Sequence, residues 1–500
     1  MMRITNAMMT SNTKNNINLN KINEDRLNTQ IATGQVISRP SEDPVVAIRA
    51  LRLNTSLSQL NQYYKKNIPD AEAWMNVTET ALKQTDQIFT NIKENLTAGA
   101  SDTNTATDRQ KILESLKGLR AELYSSGNAD YAERTVFTGY RTGESLTFLA
   151  TDTDLNSSYN IYETFDSKAI EKINYISAGG AATETDVTEN DVYRIRLAYD
   201  KNDPGATIPA TINLPDGVNT ITVSKQSITG MTQAQIDNVY TSVDPDEAVY
   251  IPETGELILG AGAKIKYESS FDPMKPDQRV TFGYTKNQWE SGDLRPEHYF
   301  ACTQTAGTPP KTVDFNFDKS VTPAKPAFKN QDIEVEISFN QKITINTHAN
   351  EVYTHDIGRD IDDLITITQS VVDADENVKA LEKKVAEGTA TQDQLDAANK
   401  EYALKKDKMQ KMFSAGLDKF EEYADRNNVA IANIGSMQQR LKITKERVAD
   451  QLQSFKELAD DNINAELTES SIDFSNAKLA LEAAQLAAGK IAQQTLLNYL

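Results

Sequence analysis

Ile434-Gly435-Ser436-Met437-Gln438-Gln439-Arg440-Leu441-Lys442-Ile443-Thr444-Lys445-Glu446-Arg447-Val448 opens the clearest heptad of this 500-residue chain. Its positions run Ile434, Met437, Leu441, Thr444, Val448, Gln451, Phe455 and Leu458, alternating steps of three and four. That alternation lays one narrow apolar stripe along a helix, as a coiled-coil seam requires. No proline follows Pro326. Proline removes a donor and clashes with the preceding turn, so nothing interrupts helix from there to the end.

A matching pattern lies at the other end. From Leu53 the same spacing passes through Leu57, Leu60, Tyr64, Asn67, Ala71, Trp74, Thr78, Ala81, Thr85, Ile88, Ile92 and Asn95. Nine of these thirteen positions are apolar or aromatic, which favours a seam over a globular helix. Pro69 is expected to kink this rod. The polar run 99–107 turns the chain, Thr107 and Gln110 suggest a capping box, and Ile112, Leu116, Leu119 and Leu123 line a returning helix stopped at Gly127-Asn128. Val136–Tyr140 reads as extended.

Between the helical ends, residues 149–355 alternate with period two. Tyr193, Ile195, Leu197 and Tyr199 share one strand face, and Ile333, Val335, Ile337 and Phe339 another. Glu253-Thr254-Gly255 reads as a hairpin turn, with Ile265 and Tyr267 on the next strand. Thr232 and Gln235 suit the cap of one short helix. Twelve of the fifteen prolines fall between Pro204 and Pro326. Helix resumes near Asp356, with a hairpin about Gly388 and a capping box at Thr391 and Gln394. The fold class is therefore α+β and multidomain: a long antiparallel coiled-coil rod of N- and C-terminal segments carrying an inserted β-rich outer region.

Composition narrows the function. A net charge of −20 and a pI near 4.8 argue against nucleic acid or an anionic membrane as partner, since both need clustered Lys and Arg. No apolar run approaches the length of a membrane span. The N-terminus lacks a signal peptide's apolar core, and the single Cys302 forms no internal disulfide. These facts fit a cytosolic protein or one exported without a cleaved signal. The three histidines, His298, His348 and His355, occupy no metal-binding spacing, and no nucleotide or nucleophile motif appears. The acidic runs Asp360–Asp363 and Asp373–Glu376 read as solvated helix faces and Cys302 as a packing residue. Neither an enzyme, a cofactor nor a metal is expected.

The termini look incomplete in isolation. Ile4, Met8, Ile22, Leu27 and Ile31 are scattered among asparagines, poor helix formers. Leu467, Phe474, Leu481, Ile491, Leu496, Leu497 and Leu500 sit on an alanine-rich background. Ordering a residue costs about 1–2 kcal/mol, and a buried large apolar side chain returns about 1.5–3 kcal/mol. With one apolar position in three, the outer segments are predicted to be mobile in a monomer and to fold as neighbouring subunits cover them.

Several segments resemble the flagellin superfamily, and more closely its hook-associated proteins of the hook–filament junction: Met2-Arg3-Ile4-Thr5-Asn6-Ala7-Met8-Met9, Ala32–Val36, Arg39–Pro44, Val136-Phe137-Thr138-Gly139-Tyr140, Asn433–Leu441 and Leu496–Leu500. The resemblance covers about 1–148 and 356–500. Pro69, the hairpin near Gly388 and the large middle depart from it. It implies an inner helical domain from 1–43 and 466–500, a coiled-coil core domain from 44–148 and 356–465, and an outer domain at 149–355. It further implies a secreted, extracellular structural subunit, exported unfolded, that forms a homo-oligomeric junction ring and presents a surface for flagellin polymerisation. Partners implied are a neighbouring junction protein, filament-side subunits and an export chaperone on the C-terminal helices. Assembly contacts would come from the terminal apolar positions named above, and the coiled-coil seam from Leu53, Leu57, Leu60, Trp74, Ile88, Ile92, Ile434, Met437, Leu441, Val448, Phe455 and Leu458. The alternatives are a flagellin itself, a rod-displayed carbohydrate- or host-binding adhesin module, and an intracellular coiled-coil signalling protein.

Overall fold

The computed structural model describes all residues except 1–4, 102–103, 308, 322–323 and 498–500; for Asn6 and residues 491–497 it describes the backbone alone. In chain order the helices are α1 (Asn6–Thr33), α2 (Pro44–Gln62), α3 (Ile68–Gly99), α4 (Ala106–Ser126), α5 (Gln233–Thr241), α6 (Ala261–Ser269), α7 (Ala349–Val352), α8 (His355–Ala386), α9 (Gln392–Ile463) and α10 (Leu467–Leu497). The strands are β1 (Asp130–Tyr131), β2 (Arg134–Thr135), β3 (Ser158–Phe165), β4 (Ile170–Ser177), β5 (Thr188–Arg196), β6 (Thr211–Asn213), β7 (Thr220–Lys225), β8 (Glu247–Ile251), β9 (Glu256–Leu259), β10 (Val280–Lys286), β11 (Ala301–Ala306), β12 (Lys311–Phe315), β13 (Phe317–Asp318), β14 (Lys325–Pro326), β15 (Glu334–Ser338) and β16 (Gln341–Thr344). The long helical ends and the β-rich middle bear out the expected fold class. Two compact units emerge, one of residues 1–71, 335–343 and 439–500, the other of residues 72–334 and 344–438.

In the first unit α1 lies antiparallel to α10. Val36 N–H donates to the Ile463 carbonyl at 2.7 Å where the two helices begin and end, and Asn20 reaches the Ala480 carbonyl farther along. The more covered positions of α1 are Thr13, Ile17, Asn20, Glu24, Leu27 and Ile31; those of α10 are Ser470, Phe474, Ala477, Leu481, Ala484 and Ala488. Both sets step by four and three, the pattern of a two-helix seam. Gly34 closes α1 at a φ of 70°, a left-handed conformation suited to glycine. Asp43 accepts from the N–H groups of Val45 and Val46 to cap α2, with Pro44 in the first helical position.

Pro69 does not break the helix. Residues 63–67 form a π-turn immediately before it, with Ile68 N–H bonded to the Tyr63 carbonyl. Proline at 69 offers no donor to the carbonyl of residue 65 and crowds it, and the wider turn absorbs that conflict. The hairpin β15–β16 supports the turn. Tyr63 donates to Glu336 at 2.9 Å, Asn67 donates to the Glu336 carbonyl at 2.8 Å, and Tyr63 meets Phe339 edge-on at 5.7 Å.

In the second unit α3 runs antiparallel to α9, and α4 to α8. Asn427 donates to the Leu82 carbonyl, Phe89 meets Phe420 edge-on, and Tyr124 bonds Gly358 N–H. The core between them holds Leu82, Ile92, Leu113, Leu116, Leu123, Ile361, Leu364, Val371 and Phe413. The capping box of α4 is Thr105 with Asp108, two residues earlier than the sequence pattern suggested, because the helix starts at Ala106 and so places Thr105 at the N-cap and Asp108 at N3. The boxes at Thr232–Gln235 and Thr391–Gln394 form as expected.

The β-rich middle holds two large sheets beside the small pairs β13–β14 and β15–β16. One has the order β4-β5-β9-β8-β7-β6, with a parallel β7–β8 pair; the other has the order β10-β3-β11-β12. Tyr159 and Ile161 from one sheet share a core with Ile195, Tyr250 and Leu257 from the other, and Cys302 is buried within it. Glu253–Gly255 turns between β8 and β9 as expected. Two expectations are corrected. Ile265 and Tyr267 lie on α6, not on a strand: Tyr267 is buried and Ile265 exposed, because residues two apart on a helix point about 200° apart. Val136–Tyr140 forms bends and a turn after β2, with Gly139 at a φ of 63°.

Candidate assembly surface

Helix α10 carries more apolar side chains than one seam can cover. Alanine-rich sequence makes it a strong helix, and its large residues split between two faces. Phe474, Ala477 and Leu481 turn towards α1. Ile472, Leu479 and Leu486 remain 58%, 65% and 70% exposed. These three recur every seven residues, which keeps them on one line with about 20° of drift per step. Leu467 is exposed as well. Met8, Met9, Leu19 and Ile22 are exposed on α1, and Val45, Ile48 and Leu51 form a further exposed row on α2. Apolar rows of this kind on helices mark contact surfaces.

The terminal residues singled out in the sequence therefore divide. Leu27 and Leu481 are buried and Ile31 and Phe474 half-buried, whereas Met8, Ile22 and Leu467 are open. Ile4 and Leu500 lie outside the described residues, as do the side chains of Ile491, Leu496 and Leu497. Sequence reasoning missed Ile472, Leu479 and Leu486, although their seven-residue period was available to it. Of the seam residues, Leu60, Trp74, Ile88, Ile92, Ile434, Leu441 and Val448 are buried; Leu53, Leu57, Met437 and Phe455 are half-buried. Leu458 is exposed, and Leu452 and Ala459 take the buried positions instead. A helix of 3.6 residues per turn drifts off a 3.5 repeat, which shifts the covered line by one residue at this end.

The acidic run Asp360–Asp363 requires a correction: it is not a solvated face. Asp360 is buried and Asp362 and Asp363 are half-buried. Arg196 pairs with Asp360 at 2.7 Å and with Asp363 at 3.0 Å; Arg194 pairs with Glu171, Glu256 and Asp363; Lys419 and Tyr423 also reach Asp360. Desolvation raises the carboxyl pKa values, yet Arg194 and Arg196 hold Asp363 below its ordinary range, and Arg196 with Lys419 does so for Asp360. Two arginines from β5 thus tie the sheet to α8. Arg194 borders a cavity of about 730 Å³ also lined by Tyr240, Arg359 and Lys408. Periodicity hid this network because its partners lie on a strand far off in the sequence. The run Asp373–Glu376 is different: Asp373 and Glu376 are exposed. Among the described residues no helix is long and apolar enough to cross a membrane.

Helices α1 and α10 thus form a paired helical terminus that leaves apolar rows open. Residues 4–142 match the bacterial flagellin N-terminal helical region, which bears out the resemblance at that end of the chain. Flagellar hook-associated protein 3 of Salmonella typhimurium is 28% identical over 142 residues, 28% of this chain and 44% of that protein. The same-named protein of Escherichia coli is 27% identical over an equal length. A flagellin of Clostridium tyrobutyricum is 23% identical over 237 residues, 47% of this chain and 59% of that protein. The chain thus spans less than half the length of the hook-associated relatives it matches. Among solved structures, a putative flagellar hook-associated protein of Vibrio parahaemolyticus aligns with a TM-score of 0.37 and 12% identity, covering 85% of this chain and all of that one. Hook-associated protein 3 of Legionella pneumophila aligns at 0.31 and 9%, covering 82% and 97%.

Proposed function

We propose that this chain is a structural subunit of the bacterial flagellum that forms the ring joining hook to filament and offers flagellin a surface to polymerise on. The observation that carries the reading is the pairing of α1 with α10 while Ile472, Leu479 and Leu486 stay open. A monomer has no use for that row, and a ring of identical subunits covers it. The likeness of 142 residues to hook-associated protein 3 of two bacteria supports the placement. In this reading the subunit leaves the cell unfolded without a cleaved signal, and an export chaperone holds α10 in the cytosol through the same apolar row. Its neighbours are copies of itself, a second junction protein and filament-side subunits, and it performs no catalysis.

A second reading, that the chain is a filament flagellin, is favoured by the longer match to the Clostridium flagellin. Immunogold microscopy of intact flagella with antibody against residues 149–355 separates the two. Label in one band between hook and filament is the expected result. Label along the whole filament overturns the junction assignment in favour of flagellin, and label confined to the cytosol overturns both.

A further inference from the structure

Glu144, in the segment after β2, lies close to Glu297 and His298 of the short 3-10 turn Pro296–His298 before β11. One ligand atom from each residue lies within 4.8 Å of the other two. Glu297 and His298 are only 1% and 7% exposed, whereas Glu144 opens to solvent. The ring orientation of His298 follows from one contact: Nε2 is 3.2 Å from the Ser145 carbonyl. A carbonyl only accepts, so Nε2 carries the proton and Nδ1 keeps its lone pair. That Nδ1, and Oε2 of Glu297, are buried without a hydrogen-bond partner.

Two unpaired acceptors on neighbouring residues of a buried turn are costly, and the surrounding cations do not resolve them. Arg295 pairs with Asp152 at 2.7 Å and with the other oxygen of Glu297, Oε1, at 3.3 Å. Arg141 donates to the Glu297 backbone carbonyl and to Asn316. Burial holds the imidazole neutral, lowering its pKa to about 3 with Arg141 adding to the effect. Burial raises the Glu297 carboxyl, Arg295 opposes this, and the Glu144 charge adds to the rise. A neutral imidazole nitrogen, a buried carboxylate oxygen and an exposed carboxylate are the donor set of a metal centre, with the backbone carbonyl of Ser145 orienting the imidazole from behind.

We propose that Glu144, Glu297 and His298 bind one divalent transition-metal ion, through His298 Nδ1 and the two carboxylates, with water completing the coordination. An imidazole beside two carboxylates suits zinc or manganese better than magnesium or calcium. The ion joins the segment that leads from the helical hairpin into the β-rich insertion to the turn that opens β11. It binds the folded chain alone and so adds to its stability by mass action. This site is independent of the assembly surface.

The test is a zinc titration of the full-length protein, stripped by dialysis against a chelator, with calorimetry in competition with a chromophoric chelator. Saturation at one zinc per chain and a raised melting temperature are expected. Glu144→Gln, an exposed substitution, is expected to weaken zinc at least about tenfold without changing the melting temperature of the stripped protein, and His298→Gln to abolish saturable binding. His348, 3.2 Å from Asp332 and 3.3 Å from Glu351, is the competing imidazole, and His348→Gln is expected to bind as the wild type does. The proposal is overturned by absent saturable binding, by an unchanged affinity in Glu144→Gln, or by loss of the site in His348→Gln.

Discussion

Replacing Leu479 with serine tests the assembly surface directly. Leu479 is the middle member of the open row on α10 and is 65% exposed. Complete burial of a leucine is worth about 1.5–3 kcal/mol, so roughly two thirds of that, about 1–2 kcal/mol, remains to be gained when a neighbouring subunit covers it. Losing it weakens each subunit contact by roughly 5- to 30-fold. Ile472 and Leu486 stand alike, and the three together account for about 3–6 kcal/mol per contact on the same reckoning. The folded monomer gives up almost nothing, since surface changes fall within about 0.5 kcal/mol. The assay is the amount of the protein in sheared flagella of cells that express the variant in place of the wild type, read beside swimming and the monomer's melting temperature. Lys478→Ser, a neighbouring exposed position, serves as the control. Leu479→Ser is expected to melt as the wild type does and to be depleted from flagella, with Ile472→Ser/Leu479→Ser/Leu486→Ser absent from them. Wild-type incorporation of the triple variant, or equal depletion of Lys478→Ser, refutes the reasoning.

Three further outcomes are expected. Arg194→Met leaves the buried Glu256 without its arginine, while Glu171 and Asp363 keep Arg196, and should cost about 3–5 kcal/mol of stability in denaturant; adding Glu256→Gln should recover part of it, and a loss under 1 kcal/mol argues against a stabilising role for the network. Glu163 is buried, accepts from Ala198 N–H and Tyr284, and has its pKa raised to about 7, chiefly by desolvation. Its stabilisation is complete below the unfolded pKa near 4.5 and is lost as pH rises through about 7, so Glu163→Gln should gain on the wild type between pH 5 and pH 8, and parallel pH profiles of unfolding contradict this. Limited proteolysis of the monomer should cut within residues 6–33 and 467–490 first, because α1 and α10 cover only one face of each other; resistance equal to that of residues 355–386 counts against folding on assembly.

The low carboxyl pKa values of Asp360 and Asp363 bear on acid stability with the opposite sign. Their contribution is present above the unfolded value near 4 and falls away as pH drops through the lowered folded values. The β5–α8 link is therefore expected to open in acid while the apolar helix seams persist.

Local patterns carried much of this architecture. The heptads from Leu53 and Ile434, the absence of proline after Pro326 and the boxes at Thr232 and Thr391 are properties of neighbouring residues, and they sufficed for the helical ends and the β-rich insertion. So did the segments that resemble flagellins, which drew on the same two ends. What stayed hidden depends on groups distant in the chain. Lys264-Ile265-Lys266-Tyr267 has the period of a strand, but packing of Tyr267 under the sheet keeps it helical. Asp360 reads as surface until Arg196, from β5, meets it at 2.7 Å. The α10 residues towards α1 and those left open were decided only when the two helices paired, since a sequence lists apolar positions without saying which are covered. Glu144 and His298 are 154 residues apart, and only the tertiary fold brings their ligand atoms within 4.8 Å of each other.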